Sequence, residues 1–518
     1  MLRATACDRA IWMNSTEVDR NHQRRPPSAI RNTSLVFLAV AAVCVLFADL
    51  QISTLDPWIE LSRMGHGLIT PDFAATEELF ESLVYTIAFA LLGVFFGNVF
   101  GFLLALVFEW RVVQVGCALV RAVHELFWAL IFLQVLGLTP WTGILAIGIP
   151  YAGIIAKVYA EILEEADPAP LRALPYGTGR VSTFLFARMP DALTHFRSYS
   201  LYRLECGLRS SAVLGFVGLP TLGFHLESAF AQGYYSQAGA LLILFWVVIA
   251  TIRIWLRRVL IPLYLIGALL VLPAGSPVSA ASAWQFFTHD ILPHPLRVAE
   301  QVDAAALLAT WEWLKMMLVE QALPGIYDTV VLTMIALVAT ALLTLVMFPL
   351  VSTRFLGSWG ARFGHVFLVI VRSTPEYVLA YVCLQLLGPS MLPAVIALSL
   401  HNGGIIGHLV GRFTDTLSMR VDSARGMNLY FYEVLPRVYA QFLAFLFYRW
   451  EVIMRETAIL GMLGIGTLGF FVDSAFADIR FDRAMLLILI TALLNIVVDG
   501  VSRRVRAHLR LRTTFDAS

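Results

Sequence analysis

The ionisable residues that recur at regular spacing in this chain lie in or beside apolar stretches. Glu205 and Arg209 stand four residues apart, and Glu451 and Arg455 repeat the arrangement. On a helix, positions i and i+4 share a face, and Glu ahead of Arg is the favourable order. A charge at membrane depth is costly unless it is paired or wetted. Each pair can therefore neutralise itself inside a helical bundle, or stand beside a path or gate for a charged solute. Arg121 with Glu125 and Arg372 with Glu376 show the same spacing at the expected cytoplasmic start of a helix, where they read as interfacial anchors. Glycines recur as well. Gly215, Gly218 and Gly223 match Gly461, Gly464 and Gly469, and suit either close helix packing or a hinge and gate.

Enzyme chemistry finds no support. There is no GxxxxGK[ST] phosphate loop, and neither Lys157 nor Lys315 follows a glycine run. No HExxH or GxSxG arrangement occurs, and His124, His195, His401 and His408 are scattered. Five cysteines without a CxxC pair argue against a disulfide framework or a thiolate metal site. No catalytic residue and no metal ligand is expected, and no cofactor bound by this chain.

The elements that must carry these residues are membrane spans. Hydrophobic residues make up 59% of the 518 and charged residues 14%, against about 25% charged in soluble domains. Mean hydropathy is +0.76. The 37 basic and 36 acidic residues nearly cancel, which gives no whole-chain basicity for nucleic acid. The lipid bilayer is the expected surround. Apolar stretches near the length needed to cross the hydrocarbon fall at 35–48, 82–107, 114–136, 141–163, 192–217 and 234–256. A second set follows at 260–272, 329–350, 363–387, 391–410, 438–463 and 484–501. The first 31 residues are polar and arginine-rich and read as a cytoplasmic tail rather than a cleaved signal. Arginines cluster in alternate loops, and the loops after the first span of each set lean acidic, which places both termini in the cytoplasm.

Internal repetition is the strongest signal. YRLECGLRSSAVLGFVGLPTLGFHLESAF from Tyr202 and YRWEVIMRETAILGMLGIGTLGFFVDSAF from Tyr448 agree at about half their positions without a gap. RAVHELFWALIFLQVLG from Arg121 matches RSTPEYVLAYVCLQLLG from Arg372 in the same order. The chain divides into a tail at 1–34, a first repeat at 35–258, a second at 259–502 and a basic tail at 503–518. With six spans each, the repeats are parallel, and parallel repeats can build a pathway at their interface.

These segments resemble the permease subunit of phosphonate ABC importers. RAVHELFWALIFLQVLGLTPWTGILAIGIPYAGIIAKVYAEILEEADPAPLRALPYG looks like that family's segment leading into the cytoplasmic coupling loop, and YRWEVIMRETAILGMLGIGTLGF looks like its fifth span. The likeness runs from about Leu79 to Arg257 and from about Tyr327 to Arg506, as of two such permeases fused. It implies an all-α type I importer fold, with two parallel six-span repeats in the bacterial cytoplasmic membrane. Each repeat offers an EAA loop to a separate ATPase subunit, which uses the ATP. The loop pattern falls on Ala173, Gly177 and Pro190 in the first repeat and on Ala424, Gly426 and Pro436 in the second. Pro436 follows its glycine three residues sooner than Pro190 does, and the opening Glu is replaced by Leu171 and Arg420. The resemblance also implies an extracytoplasmic binding protein, two ATPase copies and one fused chain per transporter.

The implied solute is a phosphonate or a related small phosphorus oxyanion. Glu205, Arg209, Gly215, Glu451, Arg455 and Gly461 are the expected path or gate residues. Two other classes fit the repeats and the Glu/Arg pairs: a gradient-driven secondary transporter, and a membrane scaffold.

Overall fold

The computed structural model describes residues 27–511 except 55, 166–168, 173, 176, 274, 276–278 and 421. Every long element among them is helical. In chain order these are α1 (Pro27–Phe47), α2 (Pro57–Ile69), α3 (Leu79–Leu106), α4 (Arg111–Ala122), α5 (Glu125–Leu136) and α6 (Pro140–Glu165). Next come α7 (Met189–Val213), α8 (Leu222–Ala231), α9 (Tyr235–Ala250), α10 (Ile261–Val271), α11 (Ala304–Met317) and α12 (Leu323–Val351). The last six are α13 (Thr353–Ser373), α14 (Glu376–Leu387), α15 (Met391–Thr416), α16 (Leu435–Gly461), α17 (Leu468–Ala477) and α18 (Phe481–His508). Among the described residues, six helices are long and apolar enough to cross a membrane, and three bent pairs pass the same test jointly. In lipid only internally hydrogen-bonded backbone is tolerated at depth, so an all-helical architecture is what this hydropathy demands.

Two of the expected spans are corrected. The stretch 114–136 is not one helix but α4 and α5, which meet at 92°. The stretch 363–387 is likewise α13 and α14, meeting at 91°. In the second case Pro375 forces the break, because proline drives the preceding residue out of the helical region, and Thr374 is extended (φ −66°, ψ 122°). The first break has no proline. There Val123 is extended, and the His124 ring caps α5 by accepting from the Leu126 N–H at 3.2 Å. A hydropathy average joins both pairs, since apolar residues flank the few charged and polar ones at each bend.

Two compact units are present, and they are not the two sequence repeats. One holds Glu77–His225 and Thr251–Val278; the other holds the described residues up to Thr76, then Leu226–Ala250 and the chain from Ser279. In the first unit α3 lies along α6, α7 packs on both, α4 and α5 lean on α6, and α10 covers α3. In the second, α12 lies along α15, α16 packs on both, α13 and α14 lean on α15, and α1 covers α12. The first span of each repeat thus packs on helices of the other. The long loops that follow these spans give the chain the slack to do so.

Glycine makes the closest helix contacts possible. Gly93, Gly97 and Gly101 recur every four residues on α3, and a Cβ at any of them would sit 2.8 Å from Ile147, Tyr151 or Ile155 of α6. In the second unit the ridge moves to the partner helix. Gly403, Gly407 and Gly411 of α15 face Leu343, Met347 and Phe348 of α12. This seam fixes Tyr151 and Asn402, which matter below.

Candidate functional site: two buried polar clusters

Each unit builds a polar cluster where a broken helix meets two long ones. In the second unit Glu376 opens α14 just past the break and is 8% exposed. His401 and Asn402 on α15 are both fully buried, and Glu456 on α16 is 8% exposed. The His401 Nδ1 lies 3.1 Å from the Thr374 carbonyl oxygen, which can only accept, so that nitrogen carries a proton. Its Nε2 lies 3.9 Å from a Glu376 oxygen. Asn402 donates to Glu456 at 2.9 Å and accepts from the Arg449 Nε at 2.7 Å. Arg449 also faces the other Glu456 oxygen at 3.6 Å. Ligand atoms of Glu376, His401 and Glu456 all lie within 4.8 Å of one another, a spacing at which a metal ion can be held. The Arg449 guanidinium already supplies positive charge to that group.

The first unit repeats the plan with different side chains. Aligned on the repeat, Glu125 stands for Glu376, Tyr151 for Asn402, Arg203 for Arg449 and Ser210 for Glu456. Ser210 donates to Glu125 at 2.7 Å and lies 3.1 Å from the Tyr151 hydroxyl. The Arg203 guanidinium sits over three rings, 5.5 Å from Tyr151, 5.1 Å from Tyr199 and 5.6 Å from Tyr202. It donates to the Tyr199 hydroxyl from Nε and Nη2 at 2.8 and 2.7 Å. A neighbouring network ties Tyr159, Asn98 and Ser200 together at 2.6–2.8 Å.

The residues singled out by spacing fall beside these clusters. Glu205, Arg209, Glu451 and Arg455 are half-buried on α7 and α16, and Arg209 reaches the Cys206 sulfur at 3.4 Å. Arg203 and Arg449, by contrast, are joined to the clusters by their own bonds, and sequence spacing by i, i+4 did not reveal them. A signal was present: Arg203 and Ser210, like Arg449 and Glu456, are seven apart, two helical turns on one face.

Gly215 and Gly461 lie at packed joints. A Cβ there would meet the backbone nitrogen of Phe224 or Phe470 at 2.1 Å, and Gly223 and Gly469 press equally hard on the Ala212 and Ala458 carbonyl oxygens. Gly218 and Gly464 turn the chain with φ of +87° and +85°. The next helices begin under matched threonines, with the Leu222 N–H donating to Thr86 at 2.8 Å and the Leu468 N–H to Thr329 at 3.0 Å.

The loop residues also correspond. Gly177 and Gly426 both adopt left-handed φ, +92° and +63°, with nothing within 4 Å of where a Cβ would be. Pro190 and Pro436 both stand just past a π-helical segment, Phe184–Arg188 and Leu429–Val434, that runs into α7 and α16. Gly177, Pro190, Ala424, Gly426 and Pro436 are exposed; Ala173 lies outside the described residues. In the second loop Arg437 holds the Ser418 carbonyl at 2.6 Å and Glu433 accepts from the Arg420 N–H at 3.0 Å, which ties the loop to the helix after it.

Residues 345–511 match the family described as binding-protein-dependent transport system inner membrane component. A phosphate-import permease protein of Mycolicibacterium smegmatis is 25% identical over 419 residues, 75% of this chain and 76% of that protein, a stretch longer than one repeat. A phosphite transport system permease protein of Stutzerimonas stutzeri is 27% identical over 221 residues, 40% of this chain and 80% of that one. A protein of Escherichia coli K12 named for a cryptic phosphonate transport system permease is 30% identical over 115 residues, 22% of this chain and 94% of its own length. No solved structure matches. The duplicated helices, the exposed glycine–proline loops and these likenesses agree: the chain belongs to the binding-protein-dependent transport family of inner-membrane permease components, and is a transport subunit and not an enzyme.

Proposed function

We propose that this chain is the permease of an ATP-driven importer for a small phosphorus oxyanion such as a phosphonate, phosphite or phosphate. The observation that carries the reading is that each sequence repeat follows a broken helix with the same exposed glycine and proline and then with an arginine joined to a polar cluster beside that break, in a chain similar to phosphate, phosphite and phosphonate permeases. An arginine fork suits a tetrahedral oxyanion, and a helix break at membrane depth is tolerated where backbone lines a wetted cavity. The path runs beside the clusters in this reading, with Glu205, Arg209, Glu451 and Arg455 on the same helices and Gly215 and Gly461 at the joints that let those helices move. The loops around Gly177 and Gly426 dock two ATPase subunits, which use the ATP, and a binding protein delivers the solute from outside. One fused chain serves one transporter, with both termini in the cytoplasm.

Purification of the chain from its native membrane, with the accompanying proteins identified and counted, tests this. Two ATPase copies per chain, with uptake of labelled phosphite or methylphosphonate that depends on ATP, is the expected result. Uptake by the chain reconstituted alone and driven by an ion gradient would replace the importer with a secondary transporter.

A further inference from the structure

The two clusters share a sequence template and differ in charge. In the second unit Glu456 lies 3.6 Å from Arg449 and balances it. In the first unit the matching position is Ser210, and among the described residues no carboxylate stands within ion-pair distance of Arg203. The nearest carboxylate along the bonded chain is Glu125. It accepts from Ser210 at 2.7 Å, and Ser210 in turn lies 3.1 Å from the hydroxyl of Tyr151, whose ring lies under Arg203. Glu125 is thereby held on the far side of Ser210 and Tyr151.

Three tyrosine faces stabilise the Arg203 cation without neutralising it. Its Nε and Nη2 are committed to Tyr199, whereas Nη1 makes no hydrogen bond and is not among the polar atoms sealed from solvent. A buried guanidinium with one free edge is complementary to an anion that arrives and leaves, because the counter-charge can then be the solute itself.

We infer that Arg203 is the oxyanion-binding residue of this permease, and that the first unit alone, through Arg203 with Tyr151, Tyr199, Tyr202 and Ser210, carries this subsite. The inference rests on the reading of the chain as a phosphorus-oxyanion permease and deepens it. The ligand class is a small tetrahedral phosphorus oxyanion. Two of its oxygens face the Arg203 edge, and a short organic substituent, as on a phosphonate, lies against the tyrosine faces. The Arg449 cluster takes no solute, since the Glu456 carboxylate 3.6 Å away already balances its charge. Duplication followed by divergence, above all Glu456 in one copy against Ser210 in the other, turns two related clusters into one binding site and one balanced strut.

The test is 31P NMR of methylphosphonate, and separately of inorganic phosphate, with the purified full chain. The wild type is expected to broaden both signals. Arg203→Gln should weaken binding roughly ten- to hundred-fold, the loss of one or two charge-assisted hydrogen bonds. Arg203→Lys should retain part of it, Arg449→Gln should bind as the wild type does, and Ser210→Glu, which brings a carboxylate to Arg203, should abolish it. Far-UV circular dichroism and thermal melting identify any variant that fails to fold, and Arg203→Lys and Ser210→Glu bracket the charge from both sides. Equal broadening in the wild type, Arg203→Gln and Ser210→Glu overturns the inference. So does loss in Arg449→Gln equal to that in Arg203→Gln, or no broadening by the wild type. Uptake separates the two readings. If the wild-type transporter takes up no phosphorus oxyanion while the Arg203-dependent broadening persists, the importer reading fails and the subsite stands. If uptake is normal in Arg203→Gln, the subsite fails and the importer reading stands.

Discussion

Replacing Arg449 by methionine removes one member of a buried pair and leaves Glu456 behind. The side chains of Arg449 and Glu456 are 11% and 10% exposed, and their charged atoms are 3.6 Å apart. At an effective dielectric near 20 their attraction is about 5 kcal/mol, most of which offsets the cost of holding both charges away from water. Breaking such a pair from one side costs about 3–5 kcal/mol, because the remaining charge is stranded. Arg449→Met should fall in that range. Glu456→Gln should cost less, since Arg449 keeps its 2.7 Å bond to the Asn402 oxygen and the new amide can still face Asn402. The double variant Arg449→Met with Glu456→Gln should be more stable than Arg449→Met alone, because no unbalanced charge from the pair is left. Unfolding of the purified chain by titrated sodium dodecyl sulfate, followed by circular dichroism, measures all three. If the effects of the two single substitutions simply add, the charges are not coupled and the account of the second cluster as a balanced strut is wrong.

At the glycine joints, Gly469→Ala would press a Cβ against the Ala458 carbonyl oxygen at 2.1 Å and should cost at least about 1–3 kcal/mol, while Gly116→Ala, with nothing within 4 Å on exposed α4, should be neutral or stabilising; comparison of melting midpoints decides it. In the first loop, Gly177→Val should lower ATP-coupled uptake with membrane insertion intact, and Gly177→Asn should be milder. The space there is open and only the +92° φ is hard for a β-branched residue, so equal uptake in both variants would refute the strain argument. Glu60, outside the spans on α2, is held below its ordinary value of 4.5 by the hydrogen bond from Tyr235 at 2.8 Å and by Arg63 beside it. A depressed folded-state pKa contributes stability that is present above the ordinary value and lost as pH falls through the folded one. Tyr235→Phe should therefore flatten the acid-side loss of stability below about pH 4.5, and an unchanged slope between pH 5 and 3 would contradict it.

The sequence by itself determined that this chain is an all-helical membrane protein built twice. Composition fixed the solvent, and apolar runs fixed most of the spans, because a bilayer admits few other backbones. The recurrence of YRxE and LGxxGxxTLGF located the two copies, and the turn glycines Gly218 and Gly464 are the same residue in both because both turns need a positive φ. Only the tertiary structure decided the rest. The breaks at His124 and Pro375 lie between closely spaced apolar runs, so a hydropathy average joins what backbone geometry separates. The packing of α1 and α10 on helices of the other repeat depends on loop slack, which composition does not encode. Above all, spacing pointed to Glu205 with Arg209 and Glu451 with Arg455, while the clusters are built on Arg203 and Arg449, two residues before those glutamates and across the helix from them. Which face of α7 and α16 meets Tyr151 or Asn402 is set by the glycine ridges that seat α3 against α6 and α12 against α15. That is a property of three helices together, and no one of them carries it alone.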